Sequence, residues 1–310
     1  MKTEIETKII DGRKMREKIL EGIKKEVSKL SFQPVFCDVL IGEDFASKQY
    51  VEMKAKIAEK VGMKFYKATF KEDLSPEVII EEIKKIKEVP NISGVIIQLP
   101  LPERFNQYKK EILDSVPEEL DVDCLGTKAS KKFYNNTNDI GFPTALACLY
   151  ILDSLFSGDT NQIDTIEEDG KTFSKENSKN NLKNKKIIVL GQGELVGKPV
   201  SALLRFRGLN PVILTSRTDN NEAIIKTADI IISGIGKGKY LKGNMIKKGA
   251  ILIDAGTSES NGGIIGDIDM ESMKGVAGFL SPVPGGVGPV TVGILLENVL
   301  KVAEKLELKK

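Results

Sequence analysis

The sequence of 310 residues contains no histidine. That absence excludes Ser-His-Asp triads, Cys-His pairs, His-ligated zinc and imidazole acid–base catalysis. Proton chemistry must fall to Lys, Asp, Glu, Tyr, Cys or a cofactor. Cysteine is scarce as well: Cys37, Cys124 and Cys148 form no CxxC pair, and their odd number suits reduced structural thiols in a cytoplasmic setting. Charge of one sign is not in excess, since 46 Lys+Arg against 44 Asp+Glu leave +2. A balance that close argues against a large nucleic-acid footprint or a polybasic membrane anchor. No apolar run approaches the roughly 20 residues of a membrane span, and the first eleven residues, MKTEIETKIID, lack the apolar core of a signal peptide. No metal-ligand spacing stands out, so no metal site is expected.

What is present is a globular composition, with 41% hydrophobic and 29% charged residues. At roughly 150 residues per domain, the length suggests two domains. In the first half, helical and strand-like patterns alternate. Residues 14–30 and 45–61 read as helices, 34–42 (PVFCDVLIG) as a buried strand, 64–70 as a strand, 76–88 as a helix capped by Ser75, and 94–98 (GVIIQ) as another buried strand. Strands alternating with helices imply parallel pairing through right-handed crossovers. Residues 143–156 form a further helix. The stretch 157–184 is polar and nearly aperiodic, which predicts a tolerated surface insertion with a hairpin at Asp169-Gly170. Five short apolar runs follow, at 186–190, 211–215, 229–233, 250–254 and 275–279, as in a doubly wound sheet. A long helix over 290–306 closes the chain.

The run KIIVL leads into Gly191-Gln192-Gly193-Glu194-Leu195-Val196-Gly197 and then into a helix pattern. Glycines at such a strand-to-helix turn allow a pyrophosphate to approach the helix N-terminus, although the GxGxxxG spacing is one residue longer than the commonest fingerprint. A phosphate-binding P-loop would need Gly at 192 and Ser or Thr at 199, where the chain has Gln192 and Pro199. The end of the next strand reads Thr215-Ser216-Arg217-Thr218, with no acid before Asp219. Hydroxyls and a guanidinium there suit the 2′-phosphate of NADP, with NAD a weaker alternative.

Tyr50 and Lys54 stand four apart on one helix face, beside the apolar row Val51, Ala55 and Ala58. A Lys flanking a buried stripe can be desolvated and drawn into acid–base work. Taken alone, such a Lys more often keeps its head in water. Gln98 and Leu99 end a buried strand, where open α/β sheets place ligands. Asp121 and Asp123 offer carboxylates to ring N–H groups, and Pro284-Gly285-Gly286-Val287 lays bare backbone before a helix.

Together these stretches resemble one family, the bifunctional methylenetetrahydrofolate dehydrogenase/methenyltetrahydrofolate cyclohydrolases of FolD type. The resemblance rests on IGEDFASKQYVEMKAK (41–56), GVIIQLPLP (94–102), LDVDCLG (120–126), GQGELVGKPV (191–200) and SPVPGGVGPVT (281–291). It implies an N-terminal three-layer α/β catalytic domain over 1–150, with the helix at 290–310 packed back on it. A Rossmann-type NADP-binding domain would cover 151–289, and tetrahydrofolate would sit in a cleft between the two.

On the same ground, Lys54 is the catalytic lysine near Gln98, and Tyr50 stacks on the folate. Asp123, with Asp121, holds the pterin, while Leu99, Pro284, Gly285, Gly286 and Val287 contact the substrate. Gly191, Gln192, Gly193, Val196, Gly197, Ser216 and Arg217 line the NADP site. The loop departs from the family's usual Gly-Arg-Ser through Gln192 and Gly193. The implied activity oxidises 5,10-methylenetetrahydrofolate and hydrolyses the product to 10-formyltetrahydrofolate, in a cytoplasmic homodimer. A dehydrogenase of another small substrate would explain the nucleotide half but not YVEMK, QLPLP or PGGVGP. A dinucleotide-sensing or folate-sequestering module is favoured only by the altered GQG loop.

Overall fold

The computed structural model describes residues 5–156, 182–260 and 263–309. The chain divides into two units, one of Glu17–Pro143 with Val292–Lys310, the other of Met1–Arg16 with Thr144–Thr291. Among the described residues, no helix is long and apolar enough to cross a membrane.

Strand β1 (Lys8–Ile9) belongs to the other unit, and the first unit is built on a three-stranded parallel sheet. Its central strand, β2 (Val35–Ile41), lies between β3 (Lys64–Phe70) and β4 (Ile92–Ile97). Every residue of β2 is buried, as a strand covered on both faces requires. The edge strand β3 carries exposed Lys64 and Lys67, charges that discourage pairing with another chain. The crossovers are helices Phe45–Lys60 and Pro76–Lys85. Asp44 starts the former by accepting from Ser47 N at 2.7 Å, and Ser75 caps the latter, accepting from Val78 N at 3.4 Å. The 45–61 helix buries Val51, Ile57 and Ala58, and the backbone turns away at Gly62 with φ +89°. In the final helix, Val287–Glu307, the wholly buried Asn298 donates from Nδ2 to the carbonyls of Val122 (2.9 Å) and Gly141 (2.8 Å).

The other unit holds a six-stranded, all-parallel sheet. Its spatial order is Lys8–Ile9, Phe279–Leu280, Ile251–Asp254, Ile230–Ser233, Ile187–Leu190, Val212–Leu214. The chain runs from Ile187–Leu190 out to Val212–Leu214, then crosses back to Ile230–Ser233 on the opposite side. That reversal is the switch point at which open α/β sheets bind ligands. The core beneath includes Ile188, Leu214, Ile231, Leu252 and Leu280.

Several elements differ from the sequence reading. The strand Lys8–Ile9 lies within the expected 1–150 domain but extends the six-stranded sheet by pairing with Phe279–Leu280. The run 275–279 is mostly turn: Gly275 takes φ +73° and Val276 N donates to Met273 O, so the strand starts only at Phe279. An antiparallel pair, Ser258–Ser260 with Gly263–Ile265, was not expected. The expected insertion lies outside the described residues over 157–181, as does its hairpin at Asp169-Gly170.

Candidate active site

Lys54 is drawn into the protein, 2% exposed, and does not keep its head in water. Its Nζ lies 2.6 Å from Asp38 Oδ2 and donates to Gln98 Oε1 at 2.7 Å. It also sits 4.8 Å from the centroid of the Tyr50 ring, close enough for a cation–π contact. Gln98 is fixed in the orientation this requires. Its Nε2 donates to Leu99 O at 2.5 Å, which leaves Oε1 for the ammonium. The backbone N–H of Gln98 is in turn held by Val39 O at 2.8 Å, so the end of β4 is locked to β2.

Asp38 is the residue that the sequence reading missed. It stands at the middle of β2 and is wholly buried, in register with Lys67 on β3 and Ile96 on β4. Among the described residues, neither of its oxygens has a hydrogen-bond partner beyond the Lys54 ion pair at Oδ2. Burial pushes its pKa up, and Lys54 and then Lys67 oppose that shift. The available signal was a lone acid in an otherwise apolar buried run.

Tyr50 keeps 39% of its surface open, leaving a ring face accessible. Burial of its hydroxyl, followed by the fields of Asp123 and Asp38, pushes its pKa up to about 12. It therefore stays a neutral donor. Asp123 is partly buried, and its carboxyl is pushed up to about 7 by loss of water and by Asp121, with Lys54 pulling the other way. Asp121 is committed to its own turn, accepting from Gly126 N at 2.7 Å and Leu125 N at 3.4 Å. Of the two expected pterin acceptors, Asp123 is the one with no amide held on its carboxylate. Cys124, between them and the turn, takes φ +59°, and burial raises its thiol pKa. It is a structural residue.

Within the other unit, the glycine loop forms as a tight turn. Gly191 needs its φ of +94°, and a Cβ on Gly197 would lie 2.2 Å from Gly191 O, so helix and loop touch backbone to backbone. A Cβ on Gly193 would meet nothing nearer than Gly234 O at 3.9 Å, so this part of the loop faces open ground at the switch point. A dinucleotide fits such a cradle. Gln192 turns inward, donating to Gly191 O (3.0 Å) and Ser201 Oγ (3.3 Å). Val196 sits at the N-terminal edge of the next helix, Gly197–Phe206.

After Val212–Leu214, Thr215 and Thr218 close a turn through Thr218 N to Thr215 O at 3.1 Å. Ser216 and Arg217 stand exposed on that turn, and among the described residues Arg217 forms no ion pair. Pro284 is exposed, whereas Gly286 and Val287 are buried. Gly12 N donates to Gly285 O at 2.9 Å, and Gly12 also lies against Gly286 O, so these two carbonyls are covered by the segment around Gly12.

This geometry agrees with comparisons to known proteins. Residues 10–123 match the family model of the tetrahydrofolate dehydrogenase/cyclohydrolase catalytic domain, and residues 172–307 match its NAD(P)-binding domain. The chain is 32% identical over 300 residues to the bifunctional protein FolD of Lactobacillus delbrueckii subsp. bulgaricus, covering 96% of this chain and 97% of that one. It is 34% identical over 297 residues to the FolD of Methanoculleus marisnigri, covering 96% of each. Among solved structures, the FolD of Campylobacter jejuni superposes with a TM-score of 0.83 at 26% identity, over 97% of this chain and 99% of that one. The Trypanosoma brucei FolD, solved with NADP and an inhibitor, gives 0.82 at 26% identity, over 97% and 98%. With both family domains matched in order and full-length relatives above 30% identity, the chain belongs to the tetrahydrofolate dehydrogenase/cyclohydrolase family.

Proposed function

We propose that this chain oxidises 5,10-methylenetetrahydrofolate to 5,10-methenyltetrahydrofolate with NADP+, then hydrolyses that cation to 10-formyltetrahydrofolate. The observation that carries the reading is the buried Lys54, held between Asp38 and Gln98 beneath the open ring of Tyr50. An ammonium with two fixed partners has a further N–H free for a substrate atom. The Tyr50 face suits a flat pterin-like ring, and Asp123 accepts from a ring N–H. A bound nicotinamide would supply the hydride acceptor for oxidation of the methylene carbon. In the second step water adds to the methenyl carbon, loses a proton, and the bond from that carbon to N5 breaks. Lys54 manages that proton.

NADP is favoured over NAD by Ser216 and Arg217 on the open turn and by the absence of an acid before Asp219. The missing cation at Gln192 weakens that preference without reversing it. Gly191, Gly193, Val196 and Gly197 would form the pyrophosphate cradle. The three free, buried thiols suit a reducing compartment. The family reading adds a homodimer, which light scattering would distinguish from a 34.0 kDa monomer. The decisive assay mixes purified protein with methylenetetrahydrofolate and either NADP+ or NAD+, and follows reduced nicotinamide and decay of the methenyl chromophore. Turnover with another small substrate and none with folate would overturn the proposal.

A further inference from the structure

We propose that Asp38 accepts, through Lys54, the proton that water releases as it adds to the methenyl carbon. The inference rests on the folate reading above and adds a residue to it. Three observations meet at Asp38. It is wholly buried on the central strand, its Oδ2 lies 2.6 Å from the Lys54 ammonium as an ion pair, and among the described residues neither of its oxygens has a further hydrogen-bond partner. A carboxylate placed only to anchor a lysine would normally have its remaining lone pairs satisfied, because an orphaned buried acceptor is costly. Here the second oxygen is left as an open proton site.

The charged and titratable groups around Asp38 are few. Lys54 and Tyr50 face it from the helix Phe45–Lys60, Lys67 from β3, Cys37 is its neighbour in sequence, and Asp123 acts from the loop beyond. Strand β4 presents only Ile96. Among the described residues, Lys54 is the one that forms an ion pair with it. Burial favours the neutral carboxylic acid, which makes Asp38 a better proton acceptor than an exposed aspartate.

The step balances as follows. Lys54 gives one proton to Asp38 as it takes one from the attacking water, so it enters and leaves as an ammonium. Asp38 passes from carboxylate to acid, and the methenyl cation becomes a neutral hydroxy adduct. The adduct then opens: the carbon–N5 bond breaks, the hydroxyl proton is lost as C=O forms, and N5 gains a proton. Asp38 returns its proton through Lys54 to solvent, which is the single proton of the net hydrolysis. Asp38 touches no substrate in this scheme. It is a positioning residue whose effect passes through Lys54.

The test compares both activities in the wild-type protein and in Asp38→Asn, which keeps the shape but loses the proton site. Cyclohydrolase kcat should fall about a hundredfold near neutral pH, within the usual range for losing acid–base assistance, while KM for the methenyl substrate holds. The remaining rate should climb with pH, because solvent hydroxide must then take the proton that Asp38 no longer accepts. Dehydrogenase kcat should fall far less. A variant that keeps the neutral cyclohydrolase rate, or that loses both activities equally with an unchanged pH profile, overturns the proposal. Should Asp38→Asn fail to fold, wild-type hydrolysis in mixed H2O and D2O decides: two protons moving together bow the rate curve, and a straight line refutes the relay. Wild-type turnover in both assays separates the two ideas. With it, a normal Asp38→Asn overturns only the role of Asp38; without it, the folate assignment falls first.

Discussion

Replacing Lys54 with methionine should destabilise the protein as well as silence it, and the size of the loss should depend on pH. At 2.6 Å, the Lys54–Asp38 attraction is about 6 kcal/mol at an effective dielectric of about 20. Desolvating two ions opposes most of that, so the intact pair is worth little net. Breaking it is different, because Asp38 is wholly buried and would lose the one ion pair it makes among the described residues. The expected cost is about 3–5 kcal/mol at alkaline pH.

In the variant, burial raises the Asp38 pKa above the roughly 3.9 of an unfolded carboxylate, with only the weaker influence of Lys67 left to oppose it. Between those values the folded state binds more protons than the unfolded one. Its stability therefore falls as pH rises and recovers toward acid. Urea unfolding at about pH 5.5 and about pH 8.5, read beside amide exchange in Val35–Ile41, measures both numbers. The double variant Asp38→Val/Lys54→Met removes both charges and should return to wild-type stability or exceed it by about 1–4 kcal/mol. A Lys54→Met protein losing under about 1 kcal/mol at both pH values, or losing the same large amount at both, would refute this reasoning.

Three further outcomes are expected. Arg217→Ala should remove most of the preference for NADP+ over NAD+, by about tenfold or more in kcat/KM, while activity with NAD+ persists; an unchanged ratio shows that Arg217 does not read the phosphate. The Asp123 carboxyl, pushed up to about 7, must be ionised to accept a pterin N–H. The folate KM should therefore rise as pH falls below about 7, and Asp123→Asn should flatten that dependence; a steep acid limb in the mutant assigns it elsewhere. Asn298→Leu strips donors from Val122 O and Gly141 O, and should cost about 2–4 kcal/mol in urea unfolding with a raised folate KM; a normal KM would free the Asp121–Asp123 loop from this anchor.

Much of this architecture was legible in the sequence because long periodic elements declare themselves. The helix Pro143–Phe156 has the expected bounds; of the five strand runs of the nucleotide half, three start one residue late and a fourth, Val212–Leu214, is one residue shorter at each end. Short elements were not legible. Lys8–Ile9 is two residues long, and its partner lies some 270 positions away, so no local pattern marks it. Gly275–Phe279 was apolar enough to suggest a strand, but the positive φ at Gly275 made it a turn.

At the site, spacing places Tyr50 and Lys54 on one helix face, but only the family resemblance favours a buried, reactive Lys54 over a solvated one. Asp38 was hidden because a strand reading counts apolar neighbours and cannot say which helix packs over the acid. Asn298 was hidden for the same reason, a polar residue within a helix whose partner lies far away in sequence. Asp121 looked equivalent to Asp123 until the turn at Gly126 captured its oxygens.

The pairing of Lys8–Ile9 with Phe279–Leu280, and the membership of Val292–Lys310 in the opposite unit, constrain how this protein can be dissected. No single cleavage releases either half, since each borrows a segment from the far end of the polypeptide. A fragment beginning at Thr144 would leave Phe279–Leu280 as a bare apolar sheet edge, an invitation to aggregation. A fragment ending at Pro143 would strip Val122 O and Gly141 O of the Asn298 amide. Recombinant halves for crystallography or split reporters would need the missing terminal piece supplied as a fusion or a peptide. Folding during synthesis faces the same constraint: Lys8–Ile9 must wait for some 270 further residues before Phe279–Leu280 emerges.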